Sequence, residues 1–414
     1  MKLSNLPKAA YIHIPFCRCR CYYCDFPISV LGNKIDIEKS SSISEYVEVL
    51  CREITATPSQ NSLLETVFFG GGTPSLLSPF YLEKILLTLD KHLGIISNVE
   101  ISLEIDPGTF SLKQLQNYQI VGVNRISLGC QGFQDNLLEI SGRTHRIDDI
   151  FRAVDWINQV NFKNFSLDLI SGLPHQTLED WRISLETAIK IDPYHLSCYD
   201  LVLEPVTVFG KRYQPGKSPL PTDETTATMY RLGQQLLTEA GYQHYEISNY
   251  AKLGYQCRHN RVYWENKPYY GFGMGAASYT NQQRFTRPRT RKYYYSWVNQ
   301  LSQSGGFIDC PKLSNRDILL ESLMLKLRLS EGINLSLIKA DFGEEITNRI
   351  VACLSPYYQQ NLISLIDDQD NKIVLNNIKT VPENTKLKLT DPEGFLFSNT
   401  ILATLFFNLK DSLD

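Results

Sequence analysis

The chain has 414 residues, 43% hydrophobic and 21% charged, an ordinary globular composition with length for about two to three domains. Its 41 Lys and Arg nearly balance its 44 Asp and Glu, for a formal net charge of −3, which excludes a strongly basic nucleic-acid binder or a polybasic membrane tail. Ten cysteines are present, and the residues around Lys2, Asn5, Pro7 and Lys8 form no apolar signal core, so the thiols read as reduced and the chain as cytoplasmic. No run reaches the ~18 apolar residues of a membrane span. Residues 395–409, interrupted by Ser398, Asn399, Thr400, Thr404 and Asn408, read as a buried terminal element.

Residues 11–14 form a short apolar strand that runs straight into Cys17-Arg-Cys19-Arg-Cys21-Tyr-Tyr23-Cys24-Asp25-Phe26. Helical spacing covers 40–55, through Ile43, Tyr46, Val47, Leu50 and Ile54. A strand at 66–69 ends on Gly70-Gly71-Gly72-Thr73-Pro74, and an amphipathic helix follows at 79–93. The pattern continues with strand 99–105, helix 111–118, strand 125–128, helix 148–160, strand 164–170, helix 178–189 and strand 196–203. Six strands alternating with helices imply parallel strands joined by right-handed crossovers. The expected fold class is α/β, a partial (β/α)6 TIM-like barrel with its chemistry at the strand C-terminal ends. Those ends carry the cysteine loop, the glycine turn, Glu104, Gln131 and Asp168.

A Pro/Gly/Lys-rich linker at 215–221 leads to a helix at 225–240 and an aromatic stretch at 242–295. Beyond Pro311, helices are expected at 317–329, 335–342, 345–354 and 357–363, with strands at 372–375 and 386–389 as a two-stranded wing. The domain expectation is a barrel at 1–215, an aromatic-rich extension at 216–310 and a small winged-helix-like α+β domain at 311–414. Arg284, Arg287, Arg289, Arg291 and Lys292, mixed with Tyr293 to Tyr295, read as a solvated face.

Four of the ten cysteines fall within eight residues. An all-cysteine zinc site is one reading of such a loop, but its one-residue spacings strain a tetrahedral centre, and no second Cys-x-x-Cys pairs with it. Cys17, Cys21 and Cys24 alone give Cys-x3-Cys-x2-Cys, and three thiolates on a four-iron cubane leave one iron without a protein ligand.

That spacing, with Tyr23 before the last cysteine, resembles the signature of the radical S-adenosylmethionine (SAM) family. The resemblance implies a [4Fe-4S] cluster on Cys17, Cys21 and Cys24, whose open iron binds SAM and cleaves it reductively. It leaves Cys19 as a spare pointing away from the cluster. It also implies SAM contacts from Gly71, Gly72 and Thr73, from Glu104 to the ribose hydroxyls and from Arg143 to the carboxylate. Tyr11, Tyr23, Gln131, Asp168 and Val202 complete the implied SAM-binding set.

The segments Tyr11-Ile-His-Ile-Pro-Phe-Cys17, Gly70-Gly-Gly-Thr-Pro-Ser75, Val123-Asn-Arg-Ile-Ser-Leu-Gly129 and Asp168-Leu-Ile-Ser-Gly-Leu-Pro174 are similar to one subgroup. It holds oxygen-independent coproporphyrinogen III oxidase and related heme chaperones. The oxidase motif adds a cysteine where this chain has Phe26, and the oxidase carries a long segment before the first strand where this chain has ten residues. Both departures favour the chaperone branch, which implies binding of heme and its delivery to heme-accepting proteins, membrane-associated respiratory proteins among them. An electron donor for the cluster is implied as well, a homodimer is left open, and nucleic acid is not an expected partner. The alternative reading is the oxidase itself, although coproporphyrinogen dehydrogenase activity is not expected. His259-Asn-x-x-Tyr263-Trp264 resembles a segment of the chaperone branch, which makes His259, Tyr263 and Trp264 heme-site candidates, with Cys257 a rival ligand. Ser278 stands where many relatives carry histidine.

Overall fold

Strand β1 (Ala9–Ile14) is buried along almost its whole length, as a strand covered on both faces must be. In the computed structural model, which describes residues 6–32, 40–374, 382 and 384–410, it lies inside a nine-stranded sheet. β2 (Leu64–Gly71), β3 (Ile95–Ile105), β4 (Arg125–Gln131), β5 (Phe165–Ser171) and β6 (His195–Asp200) follow in order, each parallel to the one before it. Helices Ser41–Ala56, Pro79–Leu93, Leu112–Ile120, Ile147–Val160 and Leu178–Ile191 make the crossovers. In Pro79–Leu93, proline takes the first position, where its missing N–H costs nothing. Leu82, Ile85, Leu86, Leu89 and Leu93 form that helix's buried face. Ser111 with Gln114 and Thr177 with Asp180 close capping boxes on two of the others.

The aromatic segment does not stand apart from this sheet. β7 (Gln243–Glu246) and β8 (Asn249–Ala251) extend it antiparallel beyond β6, and β9 (Tyr270–Phe272) joins the other edge parallel to β1. Met229, Leu237, Tyr250, Phe272, Tyr294 and Val298 belong to the same core as β1 to β6. Strands of three and four residues inside an aromatic-rich stretch are too short to show alternation, so composition alone made this segment look like an appendage.

A second core, built from residues such as Leu323, Ile350, Leu365, Leu387 and Leu405, fills the C-terminal unit. There Ile333–Asn334 and Ile363–Ile366 pair on either side of Lys386–Leu389. Residues 357–363 were expected to be a helix of their own. Instead, Tyr357 to Gln359 complete the helix Glu344–Gln359, Asn361 turns the chain with φ +57°, and Ile363 begins a strand. That strand replaces 372–375 as the partner of Lys386–Leu389; Lys372 makes one bridge to Ile366, and Leu375 lies outside the described residues. Residues 398–409 are helical and bury Ile401, Leu402, Leu405 and Leu409. Among the described residues no helix is long and apolar enough to cross a membrane.

Arg287 is not part of a solvated face. It is buried and ion-paired to Glu53 on helix Ser41–Ala56, Nε to Oε1 at 2.7 Å. Tyr294 Oη donates to Glu53 Oε2 at 2.6 Å, the Gly273 N–H donates to the same oxygen at 2.8 Å, and Arg287 Nη1 donates to Ser278 Oγ at 2.6 Å. Both carboxylate oxygens and the Nε and Nη1 of the guanidinium are therefore matched, the condition under which a buried charge pair is tolerated.

Candidate functional site

Side chains alternate along a strand, so Glu100, Ser102 and Glu104 of β3 share one face while Ile101, Leu103 and Ile105 pack into the core. The same alternation turns Arg125 and Ser127 of β4, Ser166 and Asp168 of β5, and His195 and Ser197 of β6 to the inner side. These groups bond to one another. Ser127 Oγ and Ser166 Oγ donate to Asp168 at 2.7 and 3.1 Å, and the two ring nitrogens of His195 meet Ser166 Oγ and Tyr245 Oη at 2.8 Å each. The barrel interior is thus polar from its mid-depth to its mouth.

At the mouth, past the strand C-terminal ends, lies a cleft of about 420 Å³. The cysteine loop forms one wall. Phe16–Cys17 pairs with Ser29–Val30, Leu31 N–H donates to Cys17 O at 2.8 Å, and Arg20 Nη1 donates to Cys24 O and Phe26 O at 3.1 Å. Cys17, Cys21 and Cys24 all line the cleft. So does Cys19, whose side chain interacts with that of Cys21 and whose Sγ donates to Gly142 O at 3.5 Å. The expectation that Cys19 points away is therefore corrected: a two-residue spacing in this loop leaves it beside Cys21. Burial pushes the Cys17 thiol up to about 12, whereas the hydrogen bond from Cys19, aided by Arg143, brings Cys21 down to about 6. Among the described residues no three His, Cys, Asp or Glu side chains stand close enough to share a single metal ion.

Tyr23, Gly71, Gly72, Thr73, Glu104 and Gln131 line the same cleft, as do Arg143, Asp168 and Val202. Tyr11 does not. It lies beneath, its hydroxyl 3.1 Å from His13 Nδ1 and its ring so close to Gly70 that a Cβ there would stand 2.9 Å from it. Gly71 has φ +117°, and its N–H donates to Glu104 Oε2 at 3.0 Å. A Cβ on Gly72 would sit 2.7 Å from Phe16 O and 2.9 Å from Cys17 Sγ, so the turn closes on the cysteine loop only with glycine there. Gln131 ends β4 with φ +64°, and its buried Oε1 has no partner.

Burial, reinforced by the Asp168 carboxylate, pushes Glu104 up to about 8. The unfolded chain ionises this group near 4.5, so its contribution to stability is present in acid and is lost as pH rises toward 8. Glu104→Gln is therefore expected to stabilise the ligand-free chain by roughly 4 kcal/mol near pH 8, with little gain near pH 4.5. Urea denaturation of both chains across that range checks the sign, and a gain that grows toward acid contradicts it.

His259, Tyr263 and Trp264 lie elsewhere. The helix Arg258–Trp264 packs near the start of β2, where His259 Nδ1 meets Thr66 Oγ1 at 2.8 Å and Nε2 meets Tyr263 Oη at 2.9 Å. Its ring stacks on Phe68, the residue is 1% exposed, and burial lowers its pKa to about 3. Trp264 bonds Glu246 and lies under Arg328. Cys257 is fully buried against Glu100. The expectation of an open heme site on these residues is corrected, because both imidazole nitrogens and the Tyr263 hydroxyl are already spent on internal hydrogen bonds.

Asp106, Ser127, Tyr199 and Asp200 also line the cleft and were not among the expected site residues. Asp106 continues the parity of Glu104, which was the available signal. Tyr199 and Asp200 were placed mid-strand, whereas β6 ends at Asp200.

Comparison with known proteins places the chain in a family. The radical SAM superfamily matches residues 11–188 and the HemN C-terminal domain matches residues 313–369. The heme chaperone HemW of Synechocystis sp. is 50% identical, the alignment covering 98% of each chain. This chain belongs to the HemW family. HemW of Bacillus subtilis is 35% identical over 86% of this chain and 92% of its own, and HemW of Escherichia coli is 40% identical over 65% and 69%. The solved structure of Escherichia coli coproporphyrinogen III oxidase superposes with a TM-score of 0.77 at 21% identity, covering 97% of this chain and 90% of that one. The HemW-family chain and that oxidase therefore share a fold, which in this chain is a nine-stranded α/β sheet with a C-terminal domain.

Proposed function

We propose that this chain binds heme and hands it to acceptor proteins, on a radical SAM scaffold whose [4Fe-4S] cluster is held by Cys17, Cys21 and Cys24. The observation that carries the reading is the end-to-end relationship, at 50% identity, to a protein named as a heme chaperone. Phe26 supports it. That side chain, 53% exposed at the cleft wall, occupies the position where the oxidase motif carries a further cysteine.

The donor set suits the cluster. A four-iron cubane distributes its thiolates over different irons, so it asks for three thiols around one cavity rather than three converging on a point. The cleft suits SAM as well. Gly71, Gly72 and Thr73 offer close backbone, the Glu104 carboxyl is placed to accept ribose hydroxyls, and Gln131 Oε1 lacks a partner. Arg143 supplies a cation, with Tyr23, Asp168 and Val202 at the walls and Tyr11 supporting Gly70 from below. When bound, SAM and cluster together supply one-electron reductive chemistry. The polypeptide orients the ligands, and the cluster thiols are kept in a partly buried cleft away from bulk water. The reading calls for acceptor apoproteins and an electron donor as partners, and it assigns no axial heme ligand to His259.

Hemin titrated anaerobically into the reconstituted full chain is expected to give one saturable Soret band per chain. On mixing with a histidine-ligating apoglobin, that band should move to the acceptor. A chain that shows no saturable band contradicts the proposal.

A further inference from the structure

Asp106 stands one residue beyond β3 and belongs to none of the roles assigned above. Its backbone is fixed: its N–H donates to Ser75 Oγ at 3.1 Å, and its carbonyl accepts from the Thr109 N–H and hydroxyl at 3.2 and 2.7 Å. Its carboxylate reaches into the cleft, where Oδ1 forms an ion pair with Arg143 Nη2 and Oδ2 accepts from Thr73 Oγ1 at 3.4 Å. The same Nη2 also donates to Gly129 O at 3.2 Å. With one edge of the guanidinium held this way, Nη1 is left facing the cysteine loop and donates to Cys21 Sγ at 3.4 Å. Thr73 Oγ1 lies 3.6 Å from Cys17 Sγ, so the Asp106 neighbourhood touches two of the three thiols.

A guanidinium is planar and rigid, so fixing two of its N–H groups fixes the direction of the others. Hydrogen bonds and positive charge near cluster sulfurs favour the reduced, more negative state. We infer that Asp106 is a positioning residue that aims Arg143 at the Cys21 sulfur and so sets the reduction potential of the cluster. This rests on the reading of Cys21 as a cluster ligand.

The test is a double-mutant cycle on the full, anaerobically reconstituted chain without SAM, read as the cluster midpoint potential by spectroelectrochemistry. Iron and sulfide are counted first. In the native background, Arg143→Gln is expected to lower the equilibrium constant for reduction about tenfold, which is about 59 mV for one electron. Fixed charges act additively, so an Asp106 that contributes only its own charge leaves that shift unchanged in the Asp106→Asn background. A positioning Asp106 makes it shrink to less than half, because Arg143 is no longer aimed at the sulfur, and Asp106→Glu, which keeps the ion pair, restores most of it. Equal shifts in both backgrounds overturn the inference. Loss of the cluster from Asp106→Asn with an unchanged circular dichroism spectrum also overturns it, since Asp106 would then serve assembly. A native chain that takes up no iron and sulfide instead overturns the ligand reading itself, so the two failures are distinguishable.

Discussion

Replacing Cys17, Cys21 or Cys24 by alanine, one at a time, is expected to remove the iron–sulfur absorbance of the anaerobically reconstituted chain and to cut bound iron roughly tenfold or more, because a cluster site rarely survives loss of one of its ligands. Cys19→Ala is expected to keep both. The four thiols line one cleft, so proximity alone does not separate them. What separates them is their anchorage. The backbone of Cys17 is locked through Leu31 and that of Cys21 through Cys24, and each sulfur of the first pair has a donor of its own, Thr73 for Cys17 and Arg143 for Cys21. Cys19 Sγ is instead a donor, to Cys21 and to Gly142 O at 3.5 Å, and thiol donors are weak. Iron and sulfide counts on the four single variants decide the matter. An equal loss in Cys19→Ala would mean that the ligand set is wrong.

The second large effect lies far from the thiols. Arg287→Met is expected to destabilise the chain by about 3–5 kcal/mol, because it strands the Glu53 carboxylate in a site with no solvent. That carboxylate would retain only Tyr294 Oη and the Gly273 N–H as donors. Removing both charges, as in Glu53→Leu with Arg287→Met, should cost less than the sum of the single changes, since no unpaired charge remains. The pair matters to the site through its neighbours. Tyr46, three residues above the turn that carries Val49 and Glu53, donates to His13 O at 2.7 Å and accepts from the Met274 N–H at 3.0 Å. His13 belongs to β1, which delivers the cysteine loop, and a Cβ on Gly275 would meet Pro27 of that loop at 2.2 Å. Urea denaturation reads the stability change, and an Arg287→Met midpoint equal to that of the native chain would contradict this account.

Much of the barrel was legible because its signals are local. Glycine where backbone must close on a sulfur, a cysteine spacing, and a proline at the first turn of a helix each act within a few residues of chain. Leu82, Ile85, Leu86, Leu89 and Leu93 mark the buried face of a helix whose bounds, Pro79–Leu93, coincide with the expected ones. Contacts across the fold were not legible. The partner of Arg287 lies 234 positions away and that of Arg143 37 positions away, and nothing in either neighbourhood names the other. The polar barrel interior escaped notice because Ser127, Ser166 and Ser197 are small residues inside apolar strands, where they read as tolerated breaks rather than as partners of Asp168 and His195. For His259 the local segment made it a heme-ligand candidate, while the fold supplied Thr66 and Tyr263, from positions 193 residues before and 4 residues after it, to satisfy the imidazole.

The central claim is that this radical SAM scaffold carries heme rather than oxidising a porphyrinogen. One anaerobic sample of the reconstituted full chain, supplied with SAM and a low-potential reductant, can be divided between hemin and coproporphyrinogen III. The account predicts a stable, saturable heme complex in the first portion and no protoporphyrinogen in the second. Conversion of coproporphyrinogen III to protoporphyrinogen, with release of 5′-deoxyadenosine, would contradict it.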